Sequence, residues 1–94
     1  MGCEKIFKDL LARIEAVVKE KWPHAINTPG FIEFAEKNHP ELKAKHDKLY
    51  EEANQLWLNC QDPEFKKIST EWGQTVLQMY RLFDAHLKAQ REAA

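Results

Sequence analysis

Four histidines, His24, His39, His46 and His86, are the residues of this chain whose chemistry most readily suggests a site. An imidazole binds metals and titrates near neutral pH, and a buried imidazole needs a hydrogen-bond partner or a metal. Glu36 precedes His39 by three residues, in the Glu-x-x-His spacing of di-iron helical bundles. Such a site needs two copies on separate helices, and the sequence contains one copy. A di-iron centre is therefore not predicted.

His39 and His86 are the two histidines that we expect to approach each other. If the chain folds back on itself near residue 62, the residue numbers of two facing positions add up to roughly 124. His39 then lies level with about position 85. His46 lies about eight residues from the level of His86, which is about 12 Å and too far for one shared metal. A metal- or haem-binding site at His39 and His86, completed by Glu36 or His24, is kept as an alternative. The other interpretation is structural: His39 caps a helix, His86 is half-buried and His24 is exposed.

The sequence shows no other pattern that indicates catalysis. Its three glycines form no phosphate-binding loop. The acidic residues fall on predicted solvent faces and do not suggest a paired general acid and base. Cys60 falls on an apolar helix face, where a thiol tends to stay protonated and unreactive. We therefore expect a protein that is not an enzyme and that has no cofactor.

The two cysteines, Cys3 and Cys60, are too few to predict a disulfide framework, and no apolar secretory signal precedes them. We expect both thiols to be reduced, Cys60 to act as a small core residue, and the location to be cytoplasmic. No apolar run approaches the roughly 18 residues that span a bilayer. Gly2 and Cys3 suggest acylation, but Ile6 stands where the myristoylation pattern has Ser or Thr. No membrane partner is expected.

The composition indicates one small domain over residues 1–94. Hydrophobic residues make up 44% and charged residues 31%, which is typical of a folded protein. Fourteen basic and fifteen acidic side chains give a net charge of −1, without the positive field that nucleic-acid binding needs. Lys43, Lys45 and Lys48 form a basic group, but it is divided between helix faces and has acidic neighbours. We expect no nucleic-acid partner.

Prolines mark the predicted ends of the helices. Thr28-Pro29, His39-Pro40 and Asp62-Pro63 each place proline one step after a residue suited to the N-cap position. Trp22-Pro23 ends the first helix instead, because the residue before proline disfavours helical backbone. Together these signals predict helices near 4–22, 29–38, 40–60 and 63–90.

Apolar residues recur at three- and four-residue spacing in the three long helices. Only Gln61 and Asp62 separate the last two helices, so these two must fold back on each other. The first helix is then needed to cover their apolar faces. We predict an all-α fold, a small antiparallel bundle of three long helices and one short helix. Gly73 lies in the middle of the last helix, and we expect it to permit close packing of a neighbouring helix.

Four apolar or aromatic residues fall outside the predicted core stripes. Leu58 and Leu77 lie on the sides opposite the main stripes, and Tyr50 and Tyr80 lie at stripe edges. Scattered apolar residues are common on protein surfaces, whereas a contiguous patch indicates a partner. We therefore predict a small helical protein–protein interaction or regulatory module that binds through these residues, either to a protein partner or to a second copy of itself as a homodimer.

Overall fold

A computed structural model of the chain describes residues 2–93, which form five α-helices and one short 3-10 turn and contain no strand. The predicted all-α class is confirmed. Within this part of the chain, no helix is both apolar enough and long enough to cross a bilayer. The α-helices are α1 (Gly2–Lys21), α2 (Pro23–Ile26), α3 (Phe31–Asn38), α4 (Pro40–Gln55) and α5 (Pro63–Ala93), and the 3-10 turn is Trp57–Asn59.

Proline begins three of these helices, because its missing N–H costs nothing where the first amides have no helical acceptor. At the start of α5, the Asp62 side chain accepts a hydrogen bond of 2.9 Å from the Glu64 amide, as an N-cap carboxylate does. α3 begins at Phe31 instead of the predicted residue 29. The reason is Gly30, whose φ of 100° lies in the left-handed region and is incompatible with a helical turn.

α4 is shorter than predicted, since it ends at Gln55 and not at residue 60. Beyond it the chain tightens into hydrogen bonds between residues three apart, from the Asn59 amide to Leu56 and from the Asp62 amide to Asn59. This tighter winding turns the chain back toward α5. The sequence also missed α2, a single helical turn in which the Trp22 carbonyl accepts from the amides of the residues three and four positions on.

α5 is the central element, because all four other helices contact it. The main core consists of one side of α5 packed against α1 and α4, and its buried members are Ile14, Val18, Leu49, Trp72 and Val76. Tyr50 of α4 contacts Trp72 of α5, and Trp57 of the following 3-10 turn contacts Phe65 nearer the start of α5. The contacts therefore occur in opposite order along the two segments. The molecule is elongated, at 49 × 26 × 17 Å. Its length follows that of α5, since 31 residues span roughly 46 Å of helix.

A smaller core lies where α4 turns into α5. Ala53, Cys60 and Phe65 are buried there, and Cys3, Leu56 and Trp57 pack against them. The start of α1 therefore reaches the α4–α5 connection. Cys60 is buried here, as expected of a small core residue, but the two cysteines are not the free thiols that the sequence predicts, as described below.

Gly73 is buried where α1 crosses α5, which agrees with the expected close packing. A Cβ atom at this position would lie 3.4 Å from Ile14 Cδ1 and 3.6 Å from Leu10 Cδ1. These are ordinary van der Waals distances to the ends of side chains, so a methyl group fits and a larger side chain does not.

We expect Gly73→Ala to raise the free energy of unfolding by up to about 1 kcal/mol, because alanine has the higher helix propensity and its methyl group is accommodated. The matched variant Gly73→Leu should lower it by about 1–3 kcal/mol, because its side chain would overlap Ile14. Urea denaturation of both variants measures the difference. A loss of stability in Gly73→Ala would contradict the packing described here.

Candidate functional site

The candidate site is an open groove of about 820 Å³ between α1 and the 3-10 turn. We call it the α1 groove. One wall comes from the first three turns of α1, and the other from the end of α4 and the 3-10 turn. Its lining residues are Cys3, Glu4, Phe7, Lys8, Leu11, Asn54, Trp57 and Leu58.

The floor of the groove consists of aromatic rings that are packed against other rings of the core. The Phe7 ring lies edge-on to Trp57 at 5.6 Å and is stacked on Trp72 at 5.9 Å, measured between ring centroids. Trp57 in turn contacts Phe65 of the smaller core. Each such aromatic pair adds about 0.5–1.5 kcal/mol beyond its buried area. The floor is therefore a preformed apolar surface and not a loosely packed gap.

Two leucines at the groove are exposed. Leu58 has 90% of its surface accessible, the highest value among the exposed large hydrophobic residues, and Leu11 has 40%. Leu11 continues the apolar spacing of α1 and lies beside the groove. Side chains of the 3-10 turn point in different directions, with Trp57 packed against the smaller core and Leu58 directed to solvent.

The charged residues at the groove belong to one pair on α1. Lys8 Nζ lies 3.2 Å from Glu4 Oε1, and both side chains are more than two-thirds exposed. Such a pair contributes little to stability. It does put one negative and one positive group side by side at the edge of an apolar surface.

A disulfide bond between Cys3 and Cys60 closes one end of the groove, with 5.5 Å between the two Cα atoms. The expectation of reduced thiols is therefore wrong, and Cys60 is half of a cross-link instead of a free core thiol. That expectation used the small number of cysteines and the compartment in which disulfides form, and neither shows where α1 begins in the fold. The start of α1 lies beside the α4–α5 connection, and this brings the two sulfur atoms together.

The residues predicted as possible metal ligands, His39, His86 and Glu36, contact other side chains of the protein. The rings of His39 and His86 both lie against Phe34, at centroid distances of 5.4 and 4.6 Å. Glu36 has its carboxylate 3.8 Å from Lys43 Nζ. His39 occupies the N-cap position of α4, but its side chain makes no capping hydrogen bond. Among residues 2–93, no three His, Cys, Asp or Glu side chains are grouped closely enough to hold a metal ion.

The other residues predicted to bind a partner are less exposed than Leu58. Leu77 and Tyr80 are partly buried and pack against the main core, so Leu77 does not project away from it as expected. The Tyr80 ring stacks on Phe31 at 4.0 Å. Burial raises the pKa of Tyr80, and the negative charge of Glu15 adds to the effect. Tyr50 is 44% exposed and lies beside Trp72.

Lys43 carries the best-defined ionic contacts in α4. Its Nζ lies 2.6 and 2.8 Å from the two carboxylate oxygens of Asp47, and His46 Nδ1 lies 3.0 Å from Oδ1. The hydrogen bond from Lys43 is the main reason that the pKa of Asp47 is lowered, and the one from His46 adds to it. Lys43 is thus paired with the neighbouring acidic side chains Glu36 and Asp47.

We expect removal of the Cys3–Cys60 bond to lower the free energy of unfolding by about 2–5 kcal/mol, because the bond restricts the unfolded chain. The sequence separation of 57 residues places the value near 4 kcal/mol in the chain-entropy model. Urea denaturation of wild type and of the Cys3→Ser/Cys60→Ala double variant measures the loss. Equal stability of the two proteins would contradict a disulfide in the native state.

We expect Lys43→Met to raise the pKa of Asp47 toward its ordinary value, as followed by NMR titration of the side-chain carboxyl. The lowered pKa means that the pair stabilises the fold above about pH 4 and that this contribution is lost as the pH falls through the folded-state pKa. Its size is at most about 1 kcal/mol, because Asp47 is largely exposed. An unchanged Asp47 titration in the variant would show that Lys43 does not hold this carboxylate.

Comparison of the chain with protein-family models, with curated proteins and with solved structures finds no match. The function therefore has to be inferred from the residues themselves. Among the features described, the α1 groove with its exposed Leu58 is the one whose chemistry is suited to binding.

Proposed function

We propose that this chain is a small helical protein–protein interaction module that binds a second copy of itself through the α1 groove. The observation that carries the proposal is the 90% exposure of Leu58 next to the aromatic floor formed by Phe7 and Trp57. A leucine that is exposed beside a preformed apolar surface contributes to stability only when something covers it.

The arrangement favours a second copy because it contains both halves of a contact. In a dimer with a two-fold axis, the same patch occurs on both subunits and has to complement itself. Leu58 is a projecting apolar group, and the floor beside it is a receiving apolar surface. Each copy of Leu58 can therefore enter the groove of the other copy.

Charge supports the same pairing. Glu4 and Lys8 lie side by side at the groove. Under a two-fold axis each acidic group can face the basic group of the other copy, which fixes the orientation of the two molecules. The net charge of −1 means that two copies repel each other only weakly.

The metal- or haem-binding alternative at His39, His86 and Glu36 is not proposed, because no observation in the structure favours it. The cytoplasmic location remains an expectation from the sequence. The Cys3–Cys60 disulfide counts against this location, because lasting disulfides are rare in the cytosol.

The test is the mass of the wild-type protein by light scattering over a concentration series up to about 1 mM, where even a weak association of roughly −4 kcal/mol is detected. We expect a dimer, and we expect Leu58→Asp to weaken it at least about a hundredfold, because two buried leucines are lost per dimer. Leu58 is almost fully exposed, so the variant should fold normally.

Ile32→Asp is the matched control, because Ile32 is also an exposed apolar side chain, at 40%, and does not line the groove. It should leave the dimer unchanged. A wild-type protein that stays monomeric over the whole range contradicts self-association. A dimer that Leu58→Asp leaves intact contradicts the α1 groove as the interface.

A further inference from the structure

We infer that the Cys3–Cys60 disulfide is a redox-sensitive latch that holds the first turn of α1 against the α4–α5 connection. Reduction then releases this turn and removes part of one wall of the α1 groove. The regulation of binding by this latch rests on the proposed function, whereas the release of the turn does not.

The first turn of α1 has little besides the disulfide to hold it. Glu4, Lys5 and Ile6 are all exposed, so among residues 3–6 only the side chain of Cys3 packs against a buried cluster. The ion pair of Glu4 is made with Lys8 of the same helix and anchors nothing to the rest of the molecule. Helix ends fray readily when no packing opposes it.

The remainder of α1 is held by packing and does not need the bond. Phe7 lies between two tryptophan rings, and Ile14 and Val18 are buried against α5. The release is therefore local, and α1 stays docked from Phe7 onward.

The other end of the latch is also supported independently. The 3-10 turn keeps its own hydrogen bonds from the Asn59 and Asp62 amides, and Trp57 keeps its contact with Phe65. Reduction thus removes the part of the α1 wall formed by Cys3 and Glu4 and preserves the other wall, so that Leu58 remains in place beside an incomplete groove.

The chemistry requires a dithiol reductant. Cys3 is partly exposed and lines the groove, whereas Cys60 is 7% exposed, so a reductant thiolate attacks the sulfur of Cys3. The S–S bond breaks, and its electron pair leaves with the Cys60 sulfur, which takes up a proton. The second thiol of the reductant, as its thiolate, then displaces Cys3, which is also protonated. Two electrons have passed to the protein, and the reductant has become a cyclic disulfide.

Amide hydrogen exchange of the full chain, read by mass spectrometry, tests the latch. The first four amides of a helix have no helical acceptor, so release of the turn exposes the amides of residues 6–9, whose acceptors it carries. We expect these amides to exchange at least about tenfold faster after treatment with dithiothreitol. Amides of α5 between residues 72 and 83 exchange through global unfolding, so they should speed up only as far as the measured loss of unfolding free energy requires and should stay far better protected than residues 6–9.

Cys3→Ser without reductant is the matched control, since it removes the bond and changes one atom. It should reproduce the faster exchange, and dithiothreitol should then have no further effect. Unchanged exchange of residues 6–9 in reduced wild type overturns the latch. Loss of protection in α5 down to the level of residues 6–9 also overturns it, because the bond would then hold the whole fold instead of one turn.

Light scattering of oxidised and reduced wild type tests the link to binding. We expect reduction to weaken self-association at least about tenfold, because the part of the wall that carries Cys3 and Glu4 is lost. If the oxidised protein is monomeric, the proposed function fails and the exchange result still decides the latch. If the oxidised dimer persists unchanged after residues 6–9 have lost protection, the latch exists but its control of binding is overturned.

Discussion

The burial of one apolar stripe on α5 is the interaction on which the rest of this structure depends. Trp72, Val76 and Phe83 are almost fully buried along it, and every other helix contacts α5. A single helix gains little stability from propensity alone, and most of its stabilisation comes from packing an apolar face. The positions of α1 and α4 follow from the need to cover this stripe, and the approach of Leu10 and Ile14 to Gly73 shows how closely α1 does so.

The α1 groove is a consequence of the same packing at the end where α5 begins. There α4 has already ended, and a 3-10 turn follows it in place of further helix. Phe7 and Trp57 fill the space from two sides and leave an aromatic surface open. The disulfide lies at this end because α1 begins there, so the cross-link and the exposed Leu58 belong to one local arrangement.

Part of the candidate site was predictable from the sequence. Helical spacing placed Leu58 outside the core stripe, and it is exposed. The same reasoning failed for Leu77, which packs against the main core, because a stripe drawn on one helix does not show how far neighbouring helices wrap around it. The sequence predicts that His39 and His86 approach each other, and in the structure both rings lie against Phe34. The approach of two side chains does not make a metal site without further ligands.

The sequence by itself determined the four longer helical segments and the outward side of Leu58, because proline positions and three- and four-residue spacing act within a few residues. The cross-link and the groove were decided by the tertiary structure. Cys3 and Cys60 are 57 residues apart, and nothing local to either reports the distance between them. That distance is set by the covering of α5, which brings the start of α1 to the turn between α4 and α5.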